Sequence, residues 1–137
     1  MIKIVPYKKE YLEKLSVQTA QKHEKEEFVV NLETAIVMID GSRVLGIFWF
    51  NDMGFGRLCA YSAIDAGCGN KLLAVVRKLK KLIEDGMKKT GNTRIEMMVK
   101  SDFKNGKKMA KLLGFEYEGT MCKVYKGIDY DMYARIF

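Results

Sequence analysis

Residues 56–89, GRLCAYSAIDAGCGNKLLAVVRKLKKLIEDGMKK, decide how the chain is read: an apolar strand runs into a glycine-rich turn, which opens a long basic helix. Leu72, Leu73, Val75, Val76, Leu79, Leu82, Ile83 and Met87 recur at about 3.6 residues, which predicts a helix over Asn70–Lys89 with one apolar stripe. The first turn of such a helix leaves N–H groups without intrahelical acceptors, and its aligned peptide dipoles make that end electropositive. A phosphate or carboxylate suits that end. Gly67 and Gly69 carry no Cβ, so a ligand can approach their backbone closely. A glycine pair in this place also serves as a plain strand-to-helix turn, so the pattern alone does not decide between the two.

Working outward, MIKIV alternates as a strand ending at Pro6, and residues 7–22 carry Tyr11, Leu12, Leu15 and Thr19/Ala20 at helical spacing. A second short helical or irregular piece covers His23 to Asn31. Two strands follow at about 34–39 and 43–50, joined through Asp40-Gly41, a strong hairpin signal. Asn51-Asp52-Met53-Gly54 reads as the next turn, before a strand at about 56–64. Past the long helix, Gly91-Asn92 is a stop, residues 93–100 are β-rich, and 104–113 form a helix that ends at Gly114. The remainder reads as two strands, at about 115–125 and 130–136, turning at Lys126-Gly127. The order β-α-(α)-β-β-β-α-β-α-β-β predicts one α/β (α+β) domain over residues 1–137, with a mixed, largely antiparallel central sheet flanked by helices.

A chain of 137 residues with 48% hydrophobic content can bury a real core, and its single proline and lack of low-complexity tracts indicate no linker. No apolar run approaches the ~20 residues of a membrane span, and the N-terminus lacks a secretory pattern, so the expectation is a soluble cytoplasmic protein with no membrane partner. Three cysteines, widely separated and without a CxxC, and one histidine argue against a disulfide framework or a zinc site, so no metal is expected. Cys68 precedes a helix N-terminus, an environment able to lower a thiol pKa. The net charge of +7 is concentrated in the second half: Arg77, Lys78, Lys80, Lys81, Lys88 and Lys89 on the long helix, then Lys100, Lys104, Lys107, Lys108 and Lys111. This is a solvated helix face or a surface for an anionic ligand or nucleic acid.

The element order, GCGNKLLAVV and the LLGFEYEG turn together resemble the GNAT superfamily of acyl-CoA-dependent N-acyltransferases over nearly the whole chain, with small divergent members, including bacteriophage-borne ones, the nearest in character. In that family a Q/R-x-x-G-x-G/A segment binds the pyrophosphate of coenzyme A; the matching residues are Ile64-Asp65-Ala66-Gly67-Cys68-Gly69, continued by Asn70-Lys71. Both glycines match, Ile64 replaces the leading Gln or Arg, and Asp65 adds a negative charge beside the phosphate position. Tyr61, Ser62, Ala63 and Ile64 are the expected strand contacts to the pantetheine arm. Downstream, Leu113-Gly114-Phe115, Glu118-Gly119 and the aromatic tail Asp129–Arg135 match, whereas Ala110 stands where the family often has a general-acid Tyr, and of the usual Asn only the nearby Asn105 remains.

Acyl transfer to an amine needs an unprotonated nucleophile, a donor to the developing oxyanion and a proton for the departing thiolate. Candidate bases are Glu96, Asp65 and Asp52; Tyr117 and Tyr125 are candidate replacements for the missing acid; His23 is a candidate contact to the acceptor. The resemblance implies transfer of an acetyl group from acetyl-CoA to a small-molecule or protein amine. The reading from another class is a catalytically inactive binding protein of the same fold, which contacts nucleic acid or an acidic protein through the basic helices. Homodimerisation through a sheet edge or the apolar C-terminal strands is a further expectation. Strand alternation over Phe48-Trp49-Phe50 predicts one exposed residue between two buried ones.

Overall fold

The computed structural model describes residues 1–16 and 30–137. Among these the order is β1 (Ile2–Pro6), α1 (Lys9–Lys14), β2 (Ile36–Asp40), β3 (Arg43–Gly54), β4 (Arg57–Ile64), a 3-10 turn (Gly69–Lys71), α2 (Leu72–Thr90), β5 (Arg94–Lys100), α3 (Lys104–Leu112), β6 (Glu116–Tyr125) and β7 (Ile128–Ile136). One seven-stranded sheet, ordered β1-β2-β3-β4-β5-β7-β6, is antiparallel in every described pairing except the parallel β4–β5 pair. This is the mixed, largely antiparallel α+β architecture that the periodicities predict. The contacts resolve into two compact units, Met1–Asn51 with Tyr61–Val75, and Asp52–Ala60 with Val76–Phe137.

In the first unit β1 pairs with β2 from Ile2↔Asp40 to Pro6↔Ile36, and β2 pairs with β3 from Ile36↔Phe48 to Asp40↔Arg43. Gly41, at φ +60°, allows the tight turn after Asp40. Val44 to Trp49 are all buried, so β3 is covered on both faces and does not show one wet side. Trp49 is therefore buried, contrary to the alternation expected across Phe48-Trp49-Phe50. Leu15, Ala35, Val37, Val44, Ile47, Trp49 and Ala63 form one apolar cluster, and the Trp49 ring stacks on Tyr61 at 5.5 Å. The first helix is also shorter than its periodicity suggests. It ends at Lys14, and Leu15 turns extended (φ −77°, ψ 127°) to bury its side chain in that cluster. The rest of the predicted 7–22 helix, and most of the His23–Asn31 piece with His23 itself, lie outside the described residues.

The hairpin after β3 also differs. Asn51–Gly54 continue the strand, and the chain reverses at Phe55-Gly56, with φ of +56° and +82°. Asp52, placed in the turn by its residue type, instead accepts the Gly54 N–H at 2.8 Å and is exposed.

In the second unit β4 pairs parallel with β5 over Arg57↔Arg94 to Cys59↔Glu96, and β7 pairs with both β5 and β6. The α2 stripe buries Val75, Val76, Leu79, Ile83 and Met87, each such side chain stabilising the fold by about 1.5–3 kcal/mol. Gly91 takes the left-handed C-terminal position (φ +70°), and its N–H donates to Met87 O. At the end of α3 the Phe115 N–H donates to Ala110 O, with Gly114 at φ +88° against the Arg135 guanidinium. No helix among the described residues is long and apolar enough to cross a membrane.

Candidate active site

The glycine loop is built entirely within the first unit. Its start is tied back to the sheet, where the Asp65 N–H donates to Leu45 O (2.9 Å) and the Ala66 N–H to Ser16 O (2.6 Å). The Cys68 N–H donates to Asp65 O and closes the turn, and the Lys71 N–H donates to Cys68 O in the 3-10 turn. Asp65 does not simply set a free charge beside the loop. Its Oδ1 accepts the Ser16 N–H (3.1 Å), while its Oδ2 accepts the Gly67 N–H (3.1 Å) and the Arg43 guanidinium (3.0 Å). The Arg43 guanidinium also donates to Gly67 O, and the Lys71 ammonium pairs with Asp40. A carboxylate so neutralised no longer opposes a phosphate, which corrects the repulsion expected from residue type. Three donors already engage this candidate base.

Ala66, Gly67, Gly69 and Asn70 are exposed, Tyr61, Ser62 and Lys71 are half-buried, and Ala63 and Ile64 are buried. Gly69 is at φ +54°, and a Cβ built there meets no atom within 4 Å, so its backbone is open to an approaching group. At Gly67 a Cβ would lie 2.8 Å from Arg43 Nη2 and 3.3 Å from Asp65 Oδ2. Gly69 and Asn70 head the helix, where N–H groups have no acceptor one turn earlier. Open glycine backbone and a helix start fit an anionic group such as a diphosphate, with Arg43 and Lys71, each paired with a carboxylate, beside them. Cys68 is buried, and that burial pushes its thiol up, with Asp65 adding to the shift and Arg43 opposing it. The lowered thiol expected at a helix start is not what the loop produces, because the side chain turns inward.

The second unit carries two polar clusters. In the first, buried Glu96 accepts Arg57 Nε (3.0 Å) and Nη2 (2.5 Å) and Arg94 Nε (2.8 Å), while Arg94 also holds Glu118. The Arg57 hydrogen bonds, outweighing desolvation and joined by Arg94, hold the Glu96 carboxyl below the usual carboxylate range. A base needs the opposite shift; in this structure Glu96 bridges Arg57 of β4 and Arg94 of β5.

The second cluster centres on Asp131 of β7, whose side chain is buried. Its Oδ1 accepts Ser101 Oγ (2.6 Å) and Thr120 Oγ1 (2.8 Å), and its Oδ2 faces Lys107 Nζ at 2.9 Å. These donors hold the carboxyl below its ordinary value, Ser101 foremost, against the opposing effect of desolvation. The Tyr117 hydroxyl lies 2.7 Å from Thr120 Oγ1, and its ring meets buried Tyr133 edge-on at 5.8 Å. Tyr125 is exposed near the β6–β7 turn, with the Lys126 ammonium over its ring, away from the residues that hold Tyr117. Ala110 is fully buried, so no polar group replaces the missing Tyr at that helix position. Arg43, Ser101, Thr120 and Asp131 are absent from the sequence reading as site residues. The signal for Asp131 is that it shares the inward parity of Tyr133 on its strand, where a carboxylate requires partners.

The fold and this loop together point one way. Solved structures match over the whole chain: an acetyltransferase (GNAT family) from Bacillus anthracis shares 14% identity over 98% of this chain and 94% of that one, with a TM-score of 0.75. This is the fold of the GNAT N-acetyltransferases. Two further GNAT-fold neighbours match over 74% of this chain. The ribosomal-protein-S5-alanine acetyltransferase from Vibrio fischeri is 18% identical with a TM-score of 0.65, and the chain spans 60% of its length. A Salmonella typhimurium protein solved with its cofactor acetyl-CoA is also 18% identical, with a TM-score of 0.62 over 63% of its length. No family model and no curated protein sequence matches the chain.

Proposed function

We propose that the protein is an acyl-CoA-dependent N-acyltransferase that moves an acetyl group from acetyl-CoA to an amine. The observation that carries this reading is the open glycine loop at the β4–α2 junction of a GNAT fold. Acetyl-CoA supplies the activated thioester. The loop from Ala66 to Lys71, with Arg43, would hold the diphosphate through helix-start N–H groups and cations. The backbone of Tyr61–Ile64 is the proposed contact to the pantetheine arm, by strand-like hydrogen bonds.

With Glu96 clamped by two guanidinium groups, catalysis rests on positioning and on phenols: Tyr117 and Tyr125 are the proposed polar side chains, Tyr117 first because its hydroxyl is held. The acceptor is a small-molecule or protein amine. Among the solved neighbours, the Vibrio fischeri enzyme is named for the alanine of a ribosomal protein and another, from Vibrio cholerae, for spermidine.

The test is the thermal midpoint with and without millimolar acetyl-CoA, on wild type and on Gly67→Glu. Wild type is expected to gain about 2.7 kcal/mol at a hundredfold excess over Kd, a shift of several degrees, and the variant none. An unmoved wild type rejects the cofactor. The exposed cations Arg77, Lys78, Lys88 and Lys89 along α2 favour a second reading, a binding protein for nucleic acid or an acidic protein. That reading requires affinity falling steeply with salt.

A further inference from the structure

Asp131 and Arg135 share one parity on β7, so their side chains leave the same face of the sheet. Arg135 donates to Glu84 of α2 (2.8 Å) and to the Leu113 carbonyl at the end of α3 (3.1 Å), while Asp131 meets Lys107 of α3. Both helices therefore lie on that face, tied to one strand within the second unit, which takes in α2 from Val76. Their apolar stripes are turned to the core, burying Leu79, Ile83 and Met87 from α2 and Met109 and Ala110 from α3. What remains outward is cationic. The two helices hold ten lysines and arginines against two carboxylates, an excess larger than the whole net charge of +7, so the rest of the chain is close to neutral. Both carboxylates are paired locally, Glu84 with Arg135 and Asp85 with Lys81. Arg77 and Lys88 stand about three turns apart in one row about 16 Å long, with Lys78 and Lys89 in the row beside it. Lys104, Lys108 and Lys111 line one face of α3. All of these are exposed, and among the described residues none of them makes an ion pair.

Unneutralised cations gathered on one face suit a polyanion, and the side-chain types narrow which one. Neither helix contains an aromatic residue, so there is no platform on which unpaired bases would stack. Nine of the ten cations are lysine, a point charge suited to phosphate, where reading a base edge favours the bidentate fork of arginine. Protein interfaces deplete lysine and centre on apolar and aromatic anchors, and the only large apolar side chain exposed on these helices within the second unit is Leu112. The apolar stripes that would enter a lipid surface are already buried. A duplex carries about ten charges over about 16 Å of its axis. We infer that the α2–α3 face binds the phosphate backbone of double-stranded nucleic acid without reading its sequence. The inference sharpens the binding reading of these helices, on which it rests, and is independent of acetyl transfer.

The experiment uses the full chain and fluorescein-labelled DNA and RNA duplexes of about 20 base pairs, each in two unrelated sequences, with anisotropy read from about 50 to about 200 mM KCl. About six phosphate contacts give a slope of log affinity on log salt of about −5, a roughly thousandfold loss over that range, equal for the two sequences. Lys88→Glu with Lys89→Glu, and Lys108→Glu with Lys111→Glu, should each make the slope shallower by about 2 and weaken binding at low salt by more than about tenfold. Lys8→Glu with Lys9→Glu, exposed at the start of α1 in the first unit, makes the same change in net charge and should leave the slope as it is. An equal loss in that control, a slope near zero, or no binding at low salt overturns the inference. Equal or tighter binding of a polyglutamate peptide also overturns it and assigns the face to an acidic protein. The shift of the thermal midpoint by acetyl-CoA, measured on the same proteins, should survive both helix variants. Duplex binding without that shift rejects acetyl transfer and leaves this face standing, and the shift without duplex binding does the reverse.

Discussion

The glycine loop and the Asp131 cluster each neutralise a carboxylate, by opposite means. Asp65 is satisfied mainly by backbone, through the N–H groups of Gly67 and Ser16, and only Arg43 adds a side chain. Asp131 is satisfied by side chains from the end of β5, from α3 and from β6. The cluster gathers side-chain donors around one buried carboxylate, and removing that carboxylate leaves all of them without it at once.

The largest effect expected from this difference is on stability. Asp131→Ala strands Ser101, Thr120 and Lys107 together and should lower the unfolding free energy by about 2–3 kcal/mol in urea titration. Asp65→Ala, at an exposed loop, should cost less than about 1 kcal/mol. If the Asp65 variant is the less stable of the two, the contrast between backbone and side-chain satisfaction fails.

Acid titration sharpens the same point. The folded-state pKa values of Asp131 and Glu96 are depressed below unfolded values of about 3.9 and 4.3, so their contribution is fully present above those values and is lost as pH falls through the lower folded ones. Stability should hold from neutral pH to about pH 5 and decline below about pH 4. Asp131→Asn and Glu96→Gln should each flatten that decline, and an unchanged acid limb in both would show that other carboxylates govern it.

Gly67→Ala should lower stability by about 1 kcal/mol or less, because its Cβ pushes the Arg43 guanidinium off Asp65 and the Gly67 carbonyl. It should still weaken the stabilisation by acetyl-CoA, since Arg43 must shift from the loop. Equal stabilisation of variant and wild type would remove Arg43 from the diphosphate site. The smallest effect concerns the thiols. Exposed Cys122 should alkylate first with iodoacetamide at neutral pH, while Cys59 and Cys68, both buried, should react only on unfolding. Early labelling of Cys68 would mean that the loop opens readily without ligand.

Much of the fold is legible in the residues because its signals are local. The α2 stripe, the Asp40-Gly41 turn, the stops at Gly91 and Gly114 and the glycine pair at 67 and 69 are each dictated by periodicity or by backbone freedom within a few positions. The misreadings lie where tertiary burial outweighs local preference. Asn51–Gly54 has turn chemistry, yet the strand runs on and Phe55 takes the positive φ; Trp49 breaks the alternation because both faces of β3 are covered; α1 stops so that Leu15 can enter the core.

The sequence by itself determined the order of elements, the sheet class and the place of the glycine loop, since these follow from spacing along the chain. Only the tertiary structure decided what the charged and hydroxylic side chains do. It set Glu96 between Arg57 and Arg94, brought Arg43 to Asp65 and Gly67 of the loop, and linked Tyr117 through Thr120 to Asp131. A side chain's protonation and hydrogen-bond sense are set by the partners within about 3 Å of it, and here those partners come from strands and helices far apart in sequence.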